Sequence, residues 1–198
     1  MRPYIRTDAI ANEVLAKAPY RLSNEFAIDV EKAIRLYCCF DVAYIPNFCL
    51  GKRKLLGAYF PDLRMIAVEA KDNRGRQRFS LAHELGHALI DYRAGDLALF
   101  ESSRCAFFRC DDSDVSESEA VTQSPEATEL ELRRVRRRPL SEILANQFAS
   151  HFLMPERLVR DLWRADPDIL RSAEKLAVSR EAFGIRLKTL GLAKTAGA

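Results

Sequence analysis

The sequence predicts an α+β fold, mainly helical, with a small antiparallel sheet of about three strands. Long stretches carry apolar residues at three- and four-residue steps, the period of an amphipathic helix. Short apolar and aromatic runs bounded by turn residues cluster between residues 40 and 70, the pattern of strands. The 198 residues, 48% hydrophobic and 30% charged, make one ordinary globular domain, or one with a small appendage.

The elements follow in order. Residues 8–18 have helical spacing through Ile10, Val14 and Leu15. Residues 28–39 form a second helix through Ile28, Val30, Ala33, Ile34 and Tyr37, with Asp29 near its start. Strands are expected at 40–46 (FDVAYIP), 55–60 (LLGAYF) and 63–70 (LRMIAVEA), the last two separated by the turn signal Pro61-Asp62. In the polar break 71–75, Asp72 or Asn73 is placed to cap the next helix. That helix runs from Arg76 to about Tyr92, with Phe79, Ala82, Gly86 and Leu89 on one stripe. Residues 93–139 read as irregular. A further helix spans Leu140 to about Leu153, Pro155 opens a short segment, and the tail from Asp168 reads helix, break at Val178-Ser179, helix to Gly191. We therefore expect a main domain over 1–160, interrupted by a charged insertion at 101–139, and a helical appendage over 161–198.

Composition narrows the function classes. Thirty-one basic against 28 acidic residues give +3, too little to argue for a nucleic-acid or membrane partner. No apolar run approaches the ~20 residues of a spanning helix. The opening MRPYIRTDAIANEVL lacks the apolar core of a signal peptide, which predicts a cytosolic protein. Five cysteines, at 38, 39, 49, 105 and 110, are then small thiols rather than a disulfide framework. Cys105 and Cys110 have no second close pair with which to build a structural zinc cage.

The chemistry lies at 83–87, His-Glu-Leu-Gly-His. Histidines four apart are turned about 40° from one another on a helix, so both rings can address one metal ion. Glu84, turned about 100° from His83, can reach a water on that metal without ligating it. A zinc ion would lower the pKa of the water toward ~7, and the carboxylate would take its proton. Gly86 weakens the helix by about 1 kcal/mol relative to alanine, which points to close approach by a neighbouring backbone over the metal.

A catalytic zinc needs a third protein ligand. His151 is the remaining imidazole, and Glu142 is the competing carboxylate. They sit nine positions apart, about 180° around one helix, so one facing the metal excludes the other. Glu142 also stands at a helix start, where a carboxylate interacts with the helix dipole. Asn146, one turn on, is placed to accept a hydrogen bond from a metal-bound histidine, or is simply satisfied within the fold. His151 reads as a solvent-facing helix residue.

RQRFSLAHELGHAL (76–89) followed by Glu142, Ala145, Asn146, Phe148, Ala149, Leu153, Met154 and Pro155 resembles the ImmA/IrrE family of bacterial and phage-associated metallopeptidases. The resemblance extends more loosely from about residue 25 to 192. It implies a minimal gluzincin-like fold, one Zn²⁺ held by His83, His87 and Glu142, and Glu84 as general base. It also implies a protein substrate, a helix-turn-helix repressor or antitoxin, with a role in transcription regulation and stress response and no direct nucleic-acid partner. The chain between His87 and Glu142 is longer than in typical relatives. It holds eight acidic residues between 111 and 131, then five arginines between 133 and 138. Such a stretch is a solvated insertion, a docking element or a cover over the cleft.

Other signals are weaker. The arginine run pairs naturally with the adjacent acidic run. The tail has the outline of a helix-turn-helix but also of an ordinary domain end. An exposed edge of the strand pair 55–60 and 63–70 could hold an extended peptide by strand addition. For an oxyanion, Tyr44, Tyr59, Tyr92 and Arg93 are the candidates. The expected activity is zinc-dependent endopeptidase cleavage of a partner regulatory protein. The alternative is a non-proteolytic protein that docks the repressor with the same zinc fold.

Overall fold

The computed structural model describes residues 6–19, 21–22, 26–50, 53–61, 63–93, 107–110 and 129–192. Helix α1 (Thr7–Lys17) buries Ile10 and Val14, one turn apart. Helix α2 (Val30–Tyr37) starts where Asp29 accepts the Lys32 N–H at 3.0 Å, and it buries Val30, Ala33 and Ile34. Strands β1 (Asp41–Ile45), β2 (Cys49–Leu50), β3 (Arg53–Phe60) and β4 (Met65–Glu69) follow. Helix α3 (Arg74–Arg93) begins at Asn73, whose Oδ1 accepts the Arg76 N–H at 2.9 Å, so Asn73 rather than Asp72 is the cap. After β5 (Phe107–Cys110) come α4 (Glu129–Leu153), α5 (Glu156–Ala165), α6 (Ile169–Leu176) and α7 (Arg180–Thr189).

The fold is α+β and mainly helical, as expected, but the sheet is mixed. Its order is β1-β4-β3-β2, with β5 also on β3. β3 and β4 form the expected antiparallel hairpin, Ala58 opposite Ala67, while β1 pairs with β4 in parallel, Ala43 opposite Ala67. The sequence pattern identifies strands but not their direction. β4 returns antiparallel to β3 and leaves its other edge to β1, which runs the same way.

Two further differences fall on the connection between α3 and α4. β5, inside the stretch read as irregular, runs antiparallel along β3, with Gly57 opposite Arg109 and Tyr59 opposite Phe107. Four residues in a polar surrounding give little periodic signal. Both outer edges of the strand pair offered above for strand addition are thus occupied, β4 by β1 and β3 by β2 and β5. Second, α4 starts eleven residues before Leu140, through the arginine run and Pro139. Arginine, leucine and glutamate favour helix ahead of Pro139. Residues 94–106 and 111–128, with most of the acidic run, lie outside the described residues.

One buried cluster joins all layers. Tyr59, Ile66 and Val68 come from the sheet, Leu81, Ala82 and Leu85 from α3, and Phe148, Phe152 and Leu153 from α4. Ile10 and Val14 of α1 and Phe183 and Leu187 of α7 belong to the same cluster. Full burial of a side chain such as Phe148 contributes about 2–3 kcal/mol. The α3–α4 crossing is close because small residues meet there. A Cβ on Gly86 would stand 3.0 Å from Phe148 Cδ1 and 3.2 Å from Ala145 Cα. The backbone that approaches Gly86 is therefore that of α4.

Polar ties fix α3 to its neighbours. Gln77 donates to the carbonyls of Glu69 and Ala70, closing the end of β4. Buried Arg78 donates to the Ile28 carbonyl at 2.7 Å and to the Ala177 carbonyl at 3.1 Å, joining the start of α2 to the end of α6. Cys38, Cys39 and Cys49 are free thiols. Burial, with Cys39 alongside, pushes the Cys38 thiol up to about 12. Among the described residues, no helix is long and apolar enough to cross a membrane.

Candidate metal centre

The α3–α4 crossing sets the site. His83 and His87 lie one turn apart on α3, 1% and 2% exposed, with ring centroids 4.7 Å apart. Glu142 lies at the facing position of α4, half-buried. Its Oε2 is 3.2 Å from His83 Nε2, its Oε1 is 3.2 Å from His87 Nε2, and the two Nε2 atoms are 3.0 Å apart. One donor atom from each residue falls within 4.8 Å of the others.

The donor set fits a tetrahedral ion. Bonds of ~2.0–2.1 Å place neighbouring donors about 3.3–3.4 Å apart. The two Nε2 atoms lie close to this spacing and each has a Glu142 oxygen at 3.2 Å, so the group could hold a metal ion. A polar partner sits behind each ring. His83 Nδ1 lies 2.9 Å from Asn146 Oδ1, and His87 Nδ1 lies 3.1 Å from Ser141 Oγ. An amide oxygen only accepts, so His83 carries a proton on Nδ1, and its Nε2 is the ring atom that faces Glu142. Burial pushes the Glu142 carboxyl up, but hydrogen bonds from His83 and His87 outweigh it and hold the pKa well below the usual range. The third donor is therefore anionic at neutral pH.

Glu84 is fully buried on the same helix, against β3. A Cβ on Gly57 would stand 2.9 Å from Glu84 Oε1 and 3.1 Å from its Cγ, so only glycine lets the strand backbone pass this close.

His83, His87, Glu142 and Asn146 come together as the sequence reading expects, and Glu84 lies alongside. His151 does not join them. It is half-buried on the other side of α4, with Nδ1 3.2 Å from Thr7 Oγ1, rather than facing solvent. Nine helical positions turn it away from Glu142, and α1 packs over it. Tyr44 donates to Glu31, and Tyr59 is buried against Phe40 at 5.4 Å. The side chains of Tyr92 and Arg93 lie outside the described residues. Ser141 and Gly57 were missed. A glycine inside a strand is the signal that marks a close approach; Ser141, inside α4 ahead of Glu142, has no distinguishing signal.

Comparison with known proteins gives three findings. The peptidase M78 family model, described as the IrrE N-terminal-like domain, matches residues 43–107 and 124–188. No curated protein matches. Among solved structures, a Mycobacterium tuberculosis transcriptional regulator matches with a TM-score of 0.57 and 21% identity. The match covers 93% of this chain and 47% of that one, so the chain spans about half the length of the regulator. That likeness concerns the fold. The family model matches more than half of the chain, leaves out part of the charged insertion, and includes both helices that carry the donors: the chain belongs to the peptidase M78 (IrrE N-terminal-like) family.

Proposed function

We propose that this chain is a zinc-dependent endopeptidase that cleaves a partner regulatory protein, a helix-turn-helix repressor or antitoxin. The observation that carries the reading is the convergence of His83, His87 and Glu142 on one point, with an intact Glu84 beside them on α3. His83 and His87 would ligate through Nε2 and Glu142 through a carboxylate oxygen. Zinc held there supplies Lewis acidity, which polarises the scissile carbonyl and lowers the pKa of the attacking water. Glu84 accepts the proton of that water and delivers it to the leaving amine, so the base is restored. Asn146 and Ser141 hold the two rings against rotation, and the Asn146 oxygen keeps the His83 proton on Nδ1. Membership of a peptidase family supports hydrolysis, and a fold shared with a transcriptional regulator supports a regulatory partner.

Co-expression with a candidate helix-turn-helix repressor from the same genome tests this reading. The wild type should yield a defined repressor fragment, and Glu84→Gln should yield none while keeping its zinc. A repressor effect that persists undiminished in Glu84→Gln would instead make the chain a docking protein.

A further inference from the structure

A second polar cleft lies on the side of α4 away from the metal donors. Its walls are the start of α1, the end of α4, α5 and the last turns of α7, and its volume is about 950 Å³. That is the upper range of small-ligand sites, several times the size of one phosphate.

Its charges are unevenly matched. Asp8 is paired with Arg6 at 2.7 Å, Glu156 with Arg160 at 2.7 Å, and Asp161 with Arg164 at 3.9 Å. Arg186 is different. It is only 4% exposed, it lines the cleft, and its Nε donates to the Met154 carbonyl at 3.0 Å. Among the described residues it has no carboxylate within ion-pair distance, and Glu156 is the acidic group whose field reaches it. A guanidinium in so dry a place without a counter-ion is costly, and its two remaining nitrogens form a fork suited to an oxyanion.

Other donors converge beside it. His151 and Thr7 are bonded to one another at the same wall. The cleft also receives the N-termini of two helices, α1 and α5. Their capping residues, Arg6 and Pro155, supply no side-chain bond to the first turn. The positive end of each dipole favours an anion, and Asp8, which takes the Ala9 N–H, and Glu156 already stand in these first turns. The buried arginine points the same way independently.

We infer that this cleft is a binding site for a small molecule bearing a phosphate group, with Arg186 as its central contact and His151 and Thr7 beside it. Residence there puts the ligand on the same helix as Glu142 but on the opposite face.

The test is NMR of the full chain titrated with inorganic pyrophosphate, against sodium chloride at matched ionic strength. Only three histidines are present, so each ring is resolved. Pyrophosphate should bind saturably, in the millimolar range or tighter, near ~4 kcal/mol. The His151 ring and the Thr7 and Asp8 amides should shift. The His151 pKa, held down by burial and by Arg186 and opposed by Asp8 and Glu156, should rise when the anion enters. Arg186→Gln should weaken binding at least about tenfold, a loss of ~1.4 kcal/mol. If that variant does not fold, the wild-type shift map decides alone. Shifts confined to His83 and His87, shifts reproduced by chloride, no saturation, or unchanged affinity in folded Arg186→Gln would each overturn the proposal.

Discussion

Gly57 and Gly86 show how two hydrogens shape the site. At Gly57 an added methyl meets the far end of a flexible side chain, the Glu84 carboxylate. Gly57→Ala should therefore fold with a stability loss below about 1 kcal/mol yet lose about 100-fold in peptide cleavage, because a displaced base no longer aligns. At Gly86 the methyl meets backbone at Ala145, which cannot move aside. Gly86→Ala gains roughly 1 kcal/mol of helix propensity but costs about 1–3 kcal/mol in overpacking, a net loss that urea denaturation will read. Asn146→Ala should lower zinc affinity about 10–100-fold, measured by competition with a chelator, because His83 loses the acceptor on its Nδ1. That His83 and His87 share a face was legible in the sequence from helical spacing, whereas spacing left Glu142 and His151 as alternatives and the family resemblance named Glu142. Ser141 was not legible, since a serine before a glutamate carries no sign of the histidine ring it meets across the crossing.

Among the elements, α3 is held by polar ties as well as by its apolar face. Arg78→Met removes the donor to the Ile28 and Ala177 carbonyls and should cost about 2–4 kcal/mol in urea denaturation. Burial lowers the Arg78 pKa to about 10, with Arg74 adding, so the charge persists at neutral pH. Most helices and the β3–β4 hairpin were readable from period and turn residues. Strand direction was not, because β1 finds β4 across an intervening hairpin. Nor was β5, whose four residues are defined by the β3 edge they meet rather than by a pattern of their own. The arginine run was read as irregular for its charge, although its residues favour helix.

As a whole molecule, the chain places a buried, charged site at the junction of a sheet and two helices, so acid should loosen it from more than one place. Glu69 is buried and accepts the N–H groups of Asn47, Phe48 and Lys71. Burial raises its pKa, but these bonds outweigh that and leave it below 4.5. Its contribution is complete above the unfolded value and is lost as pH falls through the lower folded value. Glu69→Gln should thus cost about 1–3 kcal/mol at pH 7, and the cost should shrink as pH falls through the native Glu69 pKa. The near-neutral total of +3 gave no hint of this buried carboxylate or of the buried arginine in the cleft behind α4. The central claim, that His83, His87 and Glu142 form one zinc site, is tested most directly by metal analysis of the purified chain. The wild type should carry about one zinc per chain, and folded Glu142→Ala far less. A folded wild type with less than about half an equivalent, or a Glu142→Ala chain as full as the wild type, would contradict it.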